Sequence, residues 1–346
     1  MGFPKPWPTE WPHPEDPRSQ PDPDTDTQRP DEWEDEPPRE IPEFRQQFSS
    51  VTWAVNHACN LRCTHCYDVV PHRRMDLSTS DALRVVDRLK DVGVTFIAFS
   101  GGEAFLRKDL LRLMEHCKNH RIRFGARSNG TLISAELAAR LRALGIAVVG
   151  VSFDGATRET HDAVRGKGAF DASLSGLKAL VEAGIRTQIE VVLSRQNEHE
   201  ALAFIKLGEL VGASEVNFSA ITPHGRAINR MADALDNNLW LRLTEVLQRA
   251  SRTSSVPVTP NCAFAGPCVA NIEPHITCDA WLTPCYLSTH RLLNVLDAPL
   301  DLIRRFLESE RLHFQDVCGR TAWTTTRPPS TELVQIRSLS PSPPPA

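Results

Sequence analysis

The chain has 346 residues, a formal net charge of −4 and a 41 % hydrophobic fraction, enough for one large domain and a smaller one. That balance carries no general nucleic-acid signature, and no apolar run reaches the roughly 18 residues of a membrane span. The N-terminus lacks a basic-then-apolar signal pattern, so the nine cysteines point to the cytoplasm, as metal ligands or buried thiols rather than bridges.

Residues 1–45 hold twelve of the 26 prolines, with 13 acidic and 5 basic side chains. Proline removes donors and net charge resists collapse, so the segment is expected to be a disordered, proline-rich acidic tail. Trp7, Trp11 and Trp33 are spaced along it, either as docking anchors or as scattered aromatics without a role. With −8 in this tail, the remainder carries about +4, a weak match to an anionic ligand.

From Val51 the pattern changes to alternating strands and helices. Strands are expected near 51–56, 94–99, 122–127, 146–152, 187–193 and 215–219, with helices near 79–92, 107–119, 134–143, 171–183, 197–211 and 236–251. The 134–143 helix starts after Ser134 and stops at Gly145, a plausible cap at each end. Apolar strands alternating with amphipathic helices specify an α/β fold with a parallel sheet. From pattern alone a doubly wound open sheet remains the alternative to a barrel.

The first strand leads into Cys59-Asn60-Leu61-Arg62-Cys63-Thr64-His65-Cys66-Tyr67. Thiolates suit iron–sulfur clusters, and a four-iron cubane takes one ligand per iron. Three cysteines leave one iron open to a small molecule. A structural zinc site favours paired Cys-x2-Cys knuckles, which the Cys59-x3-Cys63 step breaks.

This segment resembles the cluster loop of the radical SAM enzymes. The resemblance implies a partial (β/α)6 TIM-like barrel over residues 48–232. It implies a 4Fe–4S cluster on Cys59, Cys63 and Cys66 whose open iron binds S-adenosylmethionine, and reductive cleavage of that cofactor to a 5′-deoxyadenosyl radical. An electron donor such as flavodoxin or ferredoxin is implied with it. Function in a barrel collects at the C-terminal ends of strands, where the remaining motifs fall.

After the second strand, Gly101-Gly102-Glu103 matches the family's Gly-Gly-Glu, which holds the methionyl ammonium. Glycines there let backbone approach a ligand closely. After the third strand, Ser128-Asn129 reads as a turn opening a helix or as a pair near the cofactor. After the fourth, Asp154 is suited to ribose hydroxyls, with Ser152 beside it. By resemblance Arg165 pairs with the methionyl carboxylate, as arginine geometry allows. Val192, at the end of the fifth strand, and His65 are expected near the adenine, and Tyr67 beside the cofactor. Cys117 is expected in the core. Pro223-His224-Gly225-Arg226 resembles a segment of larger family members and is expected to line the substrate cavity.

Residues 233–320 are expected to hold a helix and a small cysteine-rich extension. Cys268, Ala280 and Cys285, with Pro284 before the last cysteine, resemble the opening half of a SPASM domain, of whose later half only Cys318 appears; the resemblance implies an auxiliary iron–sulfur cluster on Cys262, Cys268, Cys278, Cys285 and Cys318, with structural zinc as an alternative. Ala280 stands where that pattern has glycine. Residues 321–346 turn Thr-, Ser- and Pro-rich, so either the domain is reduced and a disordered tail follows, or the reading frame is altered after about Arg320.

The expected reaction is of lyase or oxidoreductase type on a small polar metabolite, sugar- or nucleoside-like, of secondary metabolism such as antibiotic biosynthesis. The alternatives are a ribosomally made peptide, and tetrapyrrole or cofactor maturation. Peptide maturases commonly carry a folded leader-binding domain ahead of the barrel, and the proline-rich tail shows no such pattern. A non-enzymatic iron–sulfur scaffold has no need of the Gly-Gly-Glu and Ser-x-Asp elements.

Overall fold

In a computed structural model, residues 50–67, 76–222, 225–260, 274–283, 286 and 291–308 are described. Both expected tails lie outside them, as do Cys262, Cys268, Cys285 and Cys318. The strands are β1 (Ser50–Ala54), β2 (Phe96–Ser100), β3 (Arg123–Ser128), β4 (Val148–Phe153), β5 (Thr187–Leu193) and β6 (Glu215–Ala220). Between them run α1 (Thr79–Asp91), α2 (Leu110–Asn119), α3 (Ala135–Leu144), α4 (Arg158–Arg165), α5 (Ala169–Glu182) and α6 (Ala201–Val211). Then come α7 (Asn237–Ser251), β7 (Val258–Pro260), β8 (His275–Ile276), β9 (Trp281–Thr283), β10 (Leu293–Asn294) and α8 (Leu300–Glu308).

The sheet order is β10-β9-β8-β1-β2-β3-β4-β5-β6-β7, with β1 through β7 parallel. From β1 to β6 every crossover steps one strand onward in the same direction. A doubly wound sheet reverses direction at a switch point; this one never does, so the architecture is the partial barrel. The short β8–β10 meander extends the opposite edge, β8 running parallel to β1.

Alternation along the strands sorts the side chains. Ile97, Phe99, Val149, Val151, Ile189, Val191, Val216 and Phe218 face the helices and are buried. The other face of β5–β7 is polar: Gln188 donates to Glu215, Thr259 donates to Glu215, and Asn217 donates to Glu190 at 3.2 Å. The six expected barrel strands all form, within a few residues of their expected bounds. Helix α4 was not expected. It has eight residues, and its buried positions include His161 and Arg165, so hydrophobic periodicity does not betray it.

Helix α3 has both of its expected caps. Ser134 accepts from the Leu137 amide at 3.1 Å, and Gly145 ends the helix in the left-handed region at φ 85°. An N-cap of this kind is worth about 1 kcal/mol. Ser134→Ala should therefore lower the thermal midpoint by about 2–4 °C, while Ser134→Asp should hold it. Equal midpoints for Ser134→Ala and wild type would show that the cap contributes nothing.

Candidate active site

The cysteine loop leaves β1 at the C-terminal edge of the sheet. It has no regular structure of its own, and its polar backbone must find partners elsewhere. Gly102 and Glu103 donate their amides to Asn56 and Ala58 carbonyls at 3.0 and 2.8 Å. Asn60 donates to Thr131 at 2.8 Å and accepts from Asn129 at 2.9 Å. The Thr64 amide reaches the Val164 carbonyl of α4 at 2.9 Å. Arg226 donates from Nε to the Cys63 carbonyl at 2.6 Å and from its amide to the Cys66 carbonyl at 2.9 Å. Four separate segments thus set the loop's shape.

The paired glycines serve this packing. A Cβ on Gly101 would lie 2.5 Å from the Asn56 carbonyl oxygen, and one on Gly102 2.5 Å from those of His57 and Ala58. The expected close approach is therefore made, but to the cysteine loop's own backbone. Arg226 differs from expectation too: it braces the loop, while Pro223 and His224 lie outside the described residues.

Cys59 is exposed, Cys66 half-buried and Cys63 buried. Burial pushes the Cys63 thiol up, Arg165 opposes this, and Asp154, Cys66 and Cys59 add to the rise. The Leu61 amide donates to Cys59 Sγ at 3.4 Å. The Tyr67 ring packs edge-on against Tyr286, 5.1 Å between centroids, tying the loop to the C-terminal segment.

Glu103 is 1 % exposed. Its carboxylate accepts from Ser128 Oγ at 2.9 Å and from the Asn129 and Phe105 amides at 2.8 and 3.2 Å. Burial pushes it up, and these hydrogen bonds oppose the shift. Among the described residues no cationic side chain pairs with it, so an ammonium group fits there. Ser128 and Asn129 thus form a turn that also orients Glu103.

Asp154 is fully buried. Arg165 Nε donates to its Oδ2 at 2.5 Å, and His65 Nε2 lies 2.8 Å from the same oxygen, off the direction of a hydrogen bond. Burial alone would raise this carboxyl; Arg165, then His65 and His161, outweigh it and hold it well below the usual range. Its Oδ1 is buried with no hydrogen-bond partner among the described residues. Such an orphaned acceptor is costly and suits a hydroxyl group of a nucleoside. Ser152 on β4 and Val192 on β5 lie on the sheet face bearing Glu190, just ahead of Asp154 and of the turn that holds Asn197.

Two supporting residues escaped the sequence reading. Asn197 donates to the Asp154 and Val192 carbonyls, both at 2.9 Å, and locks the ends of β4 and β5 together. Glu200 accepts from the Ala156 amide and from Thr160 Oγ1, both at 2.6 Å, and so anchors the start of α4. Asn197 Oδ1 accepts from the Ser194 amide at 2.8 Å, and the Gln196 amide donates to Ser194 Oγ, a serine turn that is the one local signal beside it. At the far end, Cys278 is buried beside the β8–β9 turn, and Ala280 adopts φ 67°, the backbone expected of glycine.

Residues 53–208 match the family model described as the Radical SAM superfamily. Fe-coproporphyrin III synthase of Methanosarcina barkeri is 37% identical over 196 residues, 54% of this chain and 49% of that one. Mycofactocin maturase MftC of Mycobacterium tuberculosis is 33% identical over 201 residues, 57% of this chain and 51% of that one. The chain spans about half the length of these curated relatives. Streptococcus suis SuiB, solved with precursor peptide SuiA, shares the fold with a TM-score of 0.61 at 15% identity, over 73% of this chain and 64% of that one.

His161 packs between Phe153 and Phe170, at 5.2 and 5.7 Å between centroids. Burial first, then Arg165, brings it down to about 4. The unfolded chain binds a proton below about pH 6.5 that the folded state refuses, so stability is full above that pH and is lost as pH falls toward about 4. Between pH 7 and 5 the wild type should lose about 2 kcal/mol through this group. His161→Phe should lose about that much less over the same interval. Parallel losses in urea titrations of the two proteins would contradict the assignment.

Proposed function

We propose that this protein, whose residues 53–208 are a radical SAM domain, cleaves S-adenosylmethionine reductively and takes a hydrogen atom from a peptide during that peptide's maturation. The observation that carries the cofactor assignment is a three-cysteine loop lashed directly against a buried carboxylate, Glu103, that has no paired cation among the described residues. When bound, the 4Fe–4S cluster and S-adenosylmethionine supply an electron and a 5′-deoxyadenosyl radical for the C–H bond.

The residues present fit both groups. Cys59, Cys63 and Cys66 would hold the cluster and leave one iron for the cofactor. Glu103 would accept from the methionyl ammonium, its geometry fixed by Ser128 and Asn129. Nε is the only guanidinium nitrogen of Arg165 with a hydrogen bond among the described residues, which leaves the fork's terminal nitrogens for the methionyl carboxylate. Asp154 Oδ1 would accept from a ribose hydroxyl, with Ser152 beside it. His65 and Val192 would border the adenine, and Tyr67 the outer side of the loop. A flavodoxin- or ferredoxin-type donor would approach near Cys59, the exposed member of the three.

The peptide reading rests on the likeness to MftC, whose name is that of a maturase. This weighs more than the small-metabolite expectation, which rested on the composition of the N-terminal tail. A tetrapyrrole is the second reading, favoured by 37% identity to an Fe-coproporphyrin III synthase. Cys278 would be one ligand of an auxiliary cluster, together with Cys262, Cys268, Cys285 and Cys318.

Wild type with S-adenosylmethionine and dithionite should release 5′-deoxyadenosine, and Cys63→Ala should release none. Glu103→Gln keeps the shape and removes the charge; it should weaken cofactor binding about tenfold or more, since hydrogen-bonded charge pairs are worth about 1.5–3 kcal/mol. An unchanged dissociation constant would refute that role. Mass spectrometry then separates the substrates. A cofactor-dependent mass change in a precursor peptide encoded beside the gene supports the peptide reading; a change only in an iron porphyrin overturns it.

A further inference from the structure

Away from the cysteine loop, α1 and α2 bring together Asp87, His116 and His120 on the outer side of the barrel. His116 lies in the last turn of α2 and His120, four residues on, is the residue that caps its C-terminal end. His116 Nε2 is 2.7 Å from Asp87 Oδ1, His120 Nε2 is 2.9 Å from that same oxygen, and the two ring nitrogens are 3.2 Å apart. The rings meet edge to face, 4.4 Å between centroids. All three side chains are partly exposed.

While Asp87 is ionised, protons cannot satisfy this triangle. With both Nε2 atoms protonated, each donates to Asp87, but the two N–H groups then face each other with no acceptor between them. With either Nε2 deprotonated, its lone pair faces a carboxylate oxygen. One edge is always repulsive. A single cation at the centre satisfies all three edges at once. Zinc binds imidazole nitrogen at about 2.0–2.1 Å and carboxylate oxygen at about 2.0–2.2 Å, so tetrahedral ligand edges are about 3.3 Å. Widening the triangle by a few tenths of an ångström reaches that spacing, and partly exposed side chains allow it.

We propose that Asp87, His116 and His120 form a binding site for a divalent transition ion of zinc type, separate from the cysteine loop. Two imidazoles and a carboxylate are the donor set such an ion prefers over calcium or magnesium. Three protein ligands leave the fourth position to water. Cys117, next to His116, is not a ligand: it is fully buried in the core, and burial pushes its thiol up to about 12. Because Asp87 sits on α1 and the histidines in the last turn and at the C-cap of α2, the ion would fasten these helices together behind β1, β2 and β3.

The test uses the whole chain after anaerobic cluster reconstitution and desalting, equilibrated with zinc chloride. Bound zinc is compared between wild type and His116→Gln/His120→Gln at equal acid-labile sulfide, which cancels zinc held by thiols in both. Wild type should hold about one zinc per chain more than the double variant. Equal zinc overturns the site. Should the double variant not fold, Asp87→Asn reads the same difference through the loss of the charged ligand, and unchanged zinc there overturns the site as well.

Discussion

A loop that must present three thiolates cannot also be a helix or a strand, so its shape has to be imposed from outside. Here that is done by hydrogen bonds to the loop's backbone and to Asn60, arriving from the turns after β2, β3 and β6 and from the end of α4. Each of those segments also contributes, or directly supports, a polar group of the site. The Gly102 and Glu103 amides fix the loop's first half while the Glu103 side chain points into the site. Asn129 holds Asn60 with its side chain and Glu103 with its amide. The residues proposed to touch the cofactor and those proposed to hold the cluster are therefore one mechanical unit. Partial barrels suit this, because successive strands deliver successive turns to one edge in chain order.

Two buried carboxylates in that unit are tuned in opposite directions. Glu103 receives three neutral donors, and burial pushes it up. Asp154 receives a guanidinium, which holds it down despite full burial. A buried anion lacking a counter-ion is a place for a cation; one already neutralised is a place for a neutral hydroxyl. The distinction matches the ammonium and ribose ends of one ligand, and it arises from which helix carries an arginine. Anchoring of α4 by Glu200 and of the Asp154 turn by Asn197 keeps that arginine in register.

Much of this was legible in the sequence, and the omissions have physical causes. The strands were readable because each places apolar residues in short runs or at alternate positions, which are buried against the helices. Helix α3 was readable from Ser134 and Gly145, since caps are local chemistry. Helix α4 was not, because the side it buries carries His161 and Arg165, so polarity hides it. Glu200 and Arg226 were not legible as braces, because their partners lie 40 and 163 residues away. The glycine pair was recognisable as a motif but not in its packing role, which depends on the Asn56–Ala58 backbone.

The central claim is that the Cys59–Cys63–Cys66 loop and Glu103 together hold S-adenosylmethionine on a 4Fe–4S cluster. Electron–nuclear double resonance on the one-electron-reduced protein, with 15N at the methionyl amino group, tests it most directly. The account predicts a nitrogen coupling from the cluster in the wild type, retained in Cys278→Ala and absent in Cys63→Ala. A reduced cluster that binds the labelled cofactor without any nitrogen coupling, or a coupling that survives in Cys63→Ala, would contradict it.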